Sequence, residues 1–121
     1  MTYREVDRSE VLESLGEGGD DPILRTSIAA LRLYARPRYT IGGTPANVLR
    51  QGLEVKYRRA MSRGKDLVGD TELLLRLHDL GSEPVSVVSA THGVAHYFVY
   101  VYPLTLKPVG AVIMYDSPEV I

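Results

Sequence analysis

The sequence predicts an α+β domain, with three or four N-terminal helices packed on a C-terminal antiparallel β-meander of three strands, or four. Apolar residues recur at helical spacing between about 22 and 80, and each run opens on a recognisable start signal. After Pro84 the apolar period changes to two. The chain has 121 residues, 45% of them hydrophobic, and no Cys. One core is therefore expected to stand on packing alone, which excludes disulfide frameworks, cysteine-based zinc sites and thiol catalysis. The whole chain, 1–121, reads as one domain without internal repeat or linker.

Residues 2–6 read as a short edge strand. Asp7 followed by Glu10 forms a capping box for a short helix to Leu15, which Gly16, Gly18 and Gly19 end. Asp21-Pro22 is a stronger start, because Asp accepts the free N–H groups of a first turn and Pro has none to leave unpaired. The helix expected over 22–36 carries Leu24, Ile28, Leu31 and Ala35 in one stripe and Arg25, Arg32 and Arg36 in another, until Pro37 stops it.

Residues 38–43 read as a loop or very short strand. Thr44-Pro45 repeats the cap-plus-proline start for a helix to about Ser62, with Gly64 as terminator. Ala46, Leu49, Leu53, Tyr57 and Ala60 form its apolar side. Lys56 falls within that stripe and must snorkel or sit at its edge. Asp70 opens a further helix through Leu73, Leu74, Leu77 and Leu80, closed by Gly81.

Residues 85–91 and 94–102 form two β-rich runs joined by a His92-Gly93 turn. That register sets Val85 opposite Tyr100, Val87 opposite Phe98 and Ser89 opposite His96. Residues 103–108 connect to a third strand at 110–116. Both faces of 94–102 carry large apolar or aromatic groups, as in a strand that is central or covered on both sides. The helices are expected on one face of the sheet.

The net charge of −1 conceals three blocks. Residues 1–21 and 66–121 each carry two basic and seven acidic side chains, whereas 22–65 carry ten basic residues against Glu54 alone. Arg outnumbers Lys in the middle block and is interleaved with tyrosines. Arg offers a planar fork that matches phosphate oxygens, and Tyr offers a stacking face. The leading expectation is a cytoplasmic protein that binds nucleic acid, RNA or DNA, or another polyanion. Its contacts would be Arg25, Arg32, Arg36, Arg38, Arg58, Arg59 and Arg63, with Tyr39 as a stacker. The competing expectation is that Glu10, Glu13, Asp70 and Glu72 fold over the basic middle and neutralise it.

Two other classes stand beside this one. The order of helices then sheet, with cationic helices, resembles in architecture alone the small RNA-cleaving toxins and barnase-like ribonucleases. The resemblance implies an Arg at the scissile phosphate and His96 as proton carrier. Ser89 opposite His96, with Asp116 to orient the ring, would begin a nucleophile–base arrangement. The third class is a non-enzymatic interaction or inhibitor protein, a homodimer or larger homo-oligomer joined through its charge blocks or sheet surfaces.

No cofactor or metal is expected. His92 and His96 would lie roughly 13 Å apart on a continuous strand, too far to share an ion. Gly42-Gly43-Thr44 reads as turn chemistry rather than a phosphate loop, since no P-loop spacing follows. His78 complements a helix C-terminus, and Tyr97, Tyr100, Tyr102 and Tyr115 read as sheet packing. No apolar run approaches the roughly 20 residues of a membrane helix, and the charged first five residues do not read as a secretory signal.

Overall fold

The computed structural model describes residues 3–5, 13–33, 38–40 and 43–116. Residues 13–15 are helical, and three longer helices follow: α1 (Pro22–Leu33), α2 (Ala46–Ser62) and α3 (Asp70–Leu80). The strands are β1 (Tyr3–Glu5), β2 (Arg38–Thr40), β3 (Thr44–Pro45), β4 (Asp66–Val68), β5 (Pro84–His92), β6 (Ala95–Val101) and β7 (Pro108–Tyr115). They form one antiparallel sheet in the order β1-β2-β5-β6-β7-β4, with β3 beside β5.

Mixed helix and antiparallel sheet is the expected class, and the meander β5–β6–β7 is its centre. The strand count is higher than expected, because β2, β3 and β4 come from the helical half of the chain. Each is two or three residues long, too short to carry a period. The expected residues 7–12 and 34–36 of the first two helices lie outside the described residues.

The helices do not share one face of the sheet, which corrects the expected layering. Leu24, Ile28 and Leu31 of α1 pack with Val88, Val99, Val101 and Ala111. Leu53 of α2 and Leu73 and Leu77 of α3 pack with Val85, Tyr100 and Val112 on the other side. Successive residues of a strand point to opposite faces, so a strand reading Phe98-Val99-Tyr100-Val101 needs cover on both. Burial of two separate clusters under helices on both sides supplies it.

The hairpin register also differs from the expected one by two residues. Val87 faces Tyr100, Ser89 faces Phe98, Thr91 faces His96 and His92 faces Ala95. The turn is Gly93-Val94, with φ +57° at Gly93 and no positive φ at Val94. A two-residue turn of this kind takes Gly at its first central position. A His92-Gly93 turn would have put His at that position instead.

Local start signals behave individually. Asp21 Oδ1 accepts from Ile23 N at 3.0 Å and Leu24 N at 3.2 Å, as the cap predicts. Pro45, not Thr44, is the N-cap of α2 and makes no side-chain cap. The Ala46 and Asn47 amides there donate to the carbonyls of Glu83 and Gly81, both at 2.8 Å, so Gly43-Thr44 serves a strand-to-helix turn. Helix α3 is capped by Gly69 at φ +89°, with Asp70 already helical.

A candidate anion groove and its histidine

Helix α2 turns Ala46, Leu53 and Ala60 fully inward. Lys56 stands three residues after Leu53 and four before Ala60, so it leaves the helix toward the sheet. Its Nζ lies 3.9 Å from the centroid of the Phe98 ring on β6. This is the snorkelling that its place in the apolar stripe allows, ended on an aromatic face. Burial lowers the pKa of this ammonium below the ordinary lysine value.

Lys56 stands where two grooves meet. The first, about 320 Å³, is lined by Val48, Leu49, Leu53, Val87, Phe98 and Tyr100 among others. The second, about 280 Å³, is lined by Val55, Arg59, Arg63, Lys65 and Met114. Gly52 and Lys56 belong to both. Gly52 has open space where a Cβ would stand, so the helix wall is low at the junction.

One groove is apolar and the other cationic. Among the described residues, Lys56, Arg59 and Arg63 pair with no carboxylate. Arg50 is held by Glu54 at 3.1 Å within α2. Among the described residues, the single ion pair joining an acidic flank to the basic middle is Lys65 Nζ to Asp116 Oδ1, 3.0 Å. Glu72 instead binds Arg76 at 2.6 Å, and Asp21 lies 3.7 Å from the same guanidinium. Glu10 lies outside the described residues, and among those described no pair joins Glu13 or Asp70 to the middle block.

Next to the cationic groove, across from one of its lining residues, stands His96. It shares a sheet face with Phe98 and lies opposite Met114 of β7, a groove-lining residue. His96 Nδ1 is 3.2 Å from Thr91 Oγ1, and Nε2 is 3.0 Å from Asp116 Oδ2. The Asp116 amide donates to the Val94 carbonyl at 2.8 Å, which fixes this carboxylate past the end of β7. The hydrogen bond from His96, then that from Lys65, hold the Asp116 carboxyl below its ordinary value. The imidazole is therefore oriented by an ionised carboxylate on one nitrogen and meets a hydroxyl on the other.

The structure gathers some of the expected site residues and separates others. Arg58 and Arg59 are on α2, Arg63 is its C-cap, and all three are exposed. Arg25 and Arg32 are on α1, across the sheet, and Arg32 Nη2 donates to the Gly16 carbonyl at 3.0 Å. The backbone of Arg38 and Tyr39 lies in β2 opposite Ser89 and Val88, while Arg36 falls outside the described residues. Ser89 does not pair with His96, because the register places Phe98 opposite it. His92 and His96 point to opposite faces of the sheet, four residues apart across a turn.

Lys56 and Lys65 are groove residues absent from the arginine-based expectation, and Thr91 replaces Ser89 beside the imidazole. Lys56 had a signal in the sequence, a cation inside an apolar stripe. Thr91 had none beyond the turn position.

No protein-family model, curated protein or solved structure matches the chain. Among the described residues, no helix is long and apolar enough to cross a membrane.

Proposed function

We propose that the protein binds single-stranded nucleic acid along the α2 groove. The supporting observation is the row Lys56, Arg59 and Arg63 on one side of a helix, unpaired with any carboxylate among the described residues. At about 1.5 Å rise per residue these cations stand roughly 4.5 and 6 Å apart along the axis, a ladder for successive phosphates. Arg58 extends the ladder on the exposed side. Among the described residues, the acidic flanks reach this row only through Asp116 on Lys65.

Fluorescence anisotropy with a labelled oligonucleotide tests the reading. If three phosphates are neutralised, the log–log salt slope for a single strand is about −2. Replacing Arg59 and Arg63 together by Ala removes most of the affinity. Affinity that is flat in salt, or unchanged in the double variant, refutes it.

A second reading, metal-independent RNA cleavage, is favoured by one observation, the His96–Asp116 pair at 3.0 Å beside the cationic groove. With Nε2 held by Asp116, Nδ1 would exchange its Thr91 contact for a ribose 2′-hydroxyl and take that proton. The 2′-oxygen then attacks the adjacent phosphorus, the bond to the 5′-oxygen breaks, that oxygen takes a proton from water and leaves as a 5′-hydroxyl, and a 2′,3′-cyclic phosphate remains. Arg63 and Lys65 supply positive charge for the phosphorane. The variant His96→Ala should lose about 10²-fold or more in rate while still binding a DNA strand of the same sequence. RNA that is bound and left intact by the unaltered protein removes this reading and leaves the first in place.

A further inference from the structure

We propose that Lys56 is a covalent site, forming an imine with aldehydes or ketones that carry an apolar body on one side of the carbonyl and an anionic group on the other. This goes beyond strand binding and rests on the junction geometry alone. An amine is placed between two unlike grooves. On one side Leu49, Val87 and Tyr100 offer an apolar wall, and on the other Arg59 and Arg63 offer a carboxylate or phosphate its forks. A ligand spanning both grooves sets its central carbon at the Lys56 nitrogen.

The surroundings of that nitrogen favour the reaction. Lys56 makes no ion pair among the described residues, so no carboxylate holds it in the ammonium form. Its contact at 3.9 Å is the Phe98 ring, a weak partner for the charge compared with water. Burial opposes protonation of this amine, the condition under which a lysine becomes a nucleophile. Lys65 differs, because Asp116 holds its ammonium at 3.0 Å, and Lys107 is exposed.

The step balances without a co-reactant. The ammonium gives one proton to water. The free amine adds to the carbonyl carbon, and the carbinolamine loses water to leave a C=N bond to Nζ. The Phe98 face remains beneath the imine, and the anionic group of the ligand stays on Arg59 and Arg63.

The chain has three lysines, Lys56, Lys65 and Lys107, which makes the test direct. The intact protein is treated at neutral pH with limiting 4-formylbenzoate, an aldehyde with a planar apolar body and a carboxylate, and then with borohydride. Peptide mapping by mass spectrometry locates the reduced adduct. The expected result is that most of the first equivalent is on Lys56, ahead of Lys65, Lys107 and the amino terminus. Uncharged benzaldehyde at the same concentration should label Lys56 less. The double variant Arg59→Ala/Arg63→Ala should lose the preference for the carboxylated aldehyde. Adduct spread over all the amines, or concentrated on Lys107, overturns the proposal, as does no adduct at all. Because the decisive mapping uses the unaltered protein, a variant that fails to fold does not blunt it. Oligonucleotide affinity is read separately, so loss of strand binding and loss of selective labelling are distinct results.

Discussion

His96 Nε2 lies 3.0 Å from Asp116 Oδ2, and this contact ties β6 to the residue that follows β7. Asp116 also meets Lys65 at 3.0 Å, just ahead of β4. One carboxylate thus connects the last residues of the sheet to the end of the basic block.

The pH dependence of stability follows from that carboxylate. Its pKa is lowered from 3.8, first by the His96 hydrogen bond and then by Lys65. A group with a depressed folded-state pKa contributes stability that is fully present above its unfolded value and is lost as pH falls through the folded value. The melting temperatures of the protein and of Asp116→Asn should therefore differ by a constant amount above pH ~4 and converge below it. Curves that remain parallel into strong acid would show that Asp116 gains nothing from ionisation in the fold.

Gly69 caps α3 at φ +89°, and a Cβ there would stand 2.8 Å from the Ala111 carbonyl oxygen and 2.9 Å from Ile23 Cγ2. The first neighbour is sheet backbone and cannot yield without moving β7. Ala at this position meets both a left-handed backbone and a steric conflict, so Gly69→Ala should cost about 1–3 kcal/mol. Chemical denaturation measures it. Gly81→Ala is the comparison: its φ is +61° with nothing within 4 Å of the added carbon. It should cost less, and an equal cost would mean that the close approach at Gly69 is immaterial.

Ser86 is fully buried on β5, and its hydroxyl has no partner among the described residues. Ser27, equally buried, donates to the Ile23 carbonyl at 2.8 Å. The two serines should therefore respond in opposite senses to Ala. Ser86→Ala relieves a desolvated hydroxyl and should raise stability by up to about 1 kcal/mol. Ser27→Ala removes a made bond and should lower stability by about 1 kcal/mol. Two losses of the same size would imply that Ser86 is satisfied by an ordered water.

Local chemistry made part of this fold readable from the chain. The Asp21 cap, the Ile28 and Leu31 stripe and the positive φ at Gly81 are each decided within one turn of the chain. Residues on both sides of β6 also announced two covered faces, although the layering expected from them put every helix on one. Strand β2 falls where the chain reads as a loop or a very short strand, and β4 was not readable, since three residues carry no period and pair because β5 and β7 have open edges. The register failed for a similar reason: Gly93 fits either central position of a two-residue turn on composition, and φ at the first position decides. The candidate site was legible only in pieces. The α2 arginines, His96 and Asp116 as the acid that orients its ring were visible, but Thr91 meets His96 only through a two-residue shift in pairing, and Lys65 meets Asp116 across a long stretch of chain.

The placement of the arginines makes the sharpest demand on the proposed strand binding. Arg25 and Arg32 belong to α1, and Arg59 and Arg63 to the end of α2 and its C-cap, with the sheet between them. One strand lying in the α2 groove cannot reach both pairs at once. Surface potential from the far pair still acts at long range, but salt screens it beyond a Debye length of about 8–10 Å. At moderate salt the variant Arg59→Ala/Arg63→Ala should lose far more affinity than Arg25→Ala/Arg32→Ala and should flatten the salt slope by roughly 1.4, two single-strand contacts' worth. Both variants should bind alike only as salt approaches zero. Equal losses at moderate salt would mean that the anion wraps both faces of the sheet, and the groove would then not be the site of recognition.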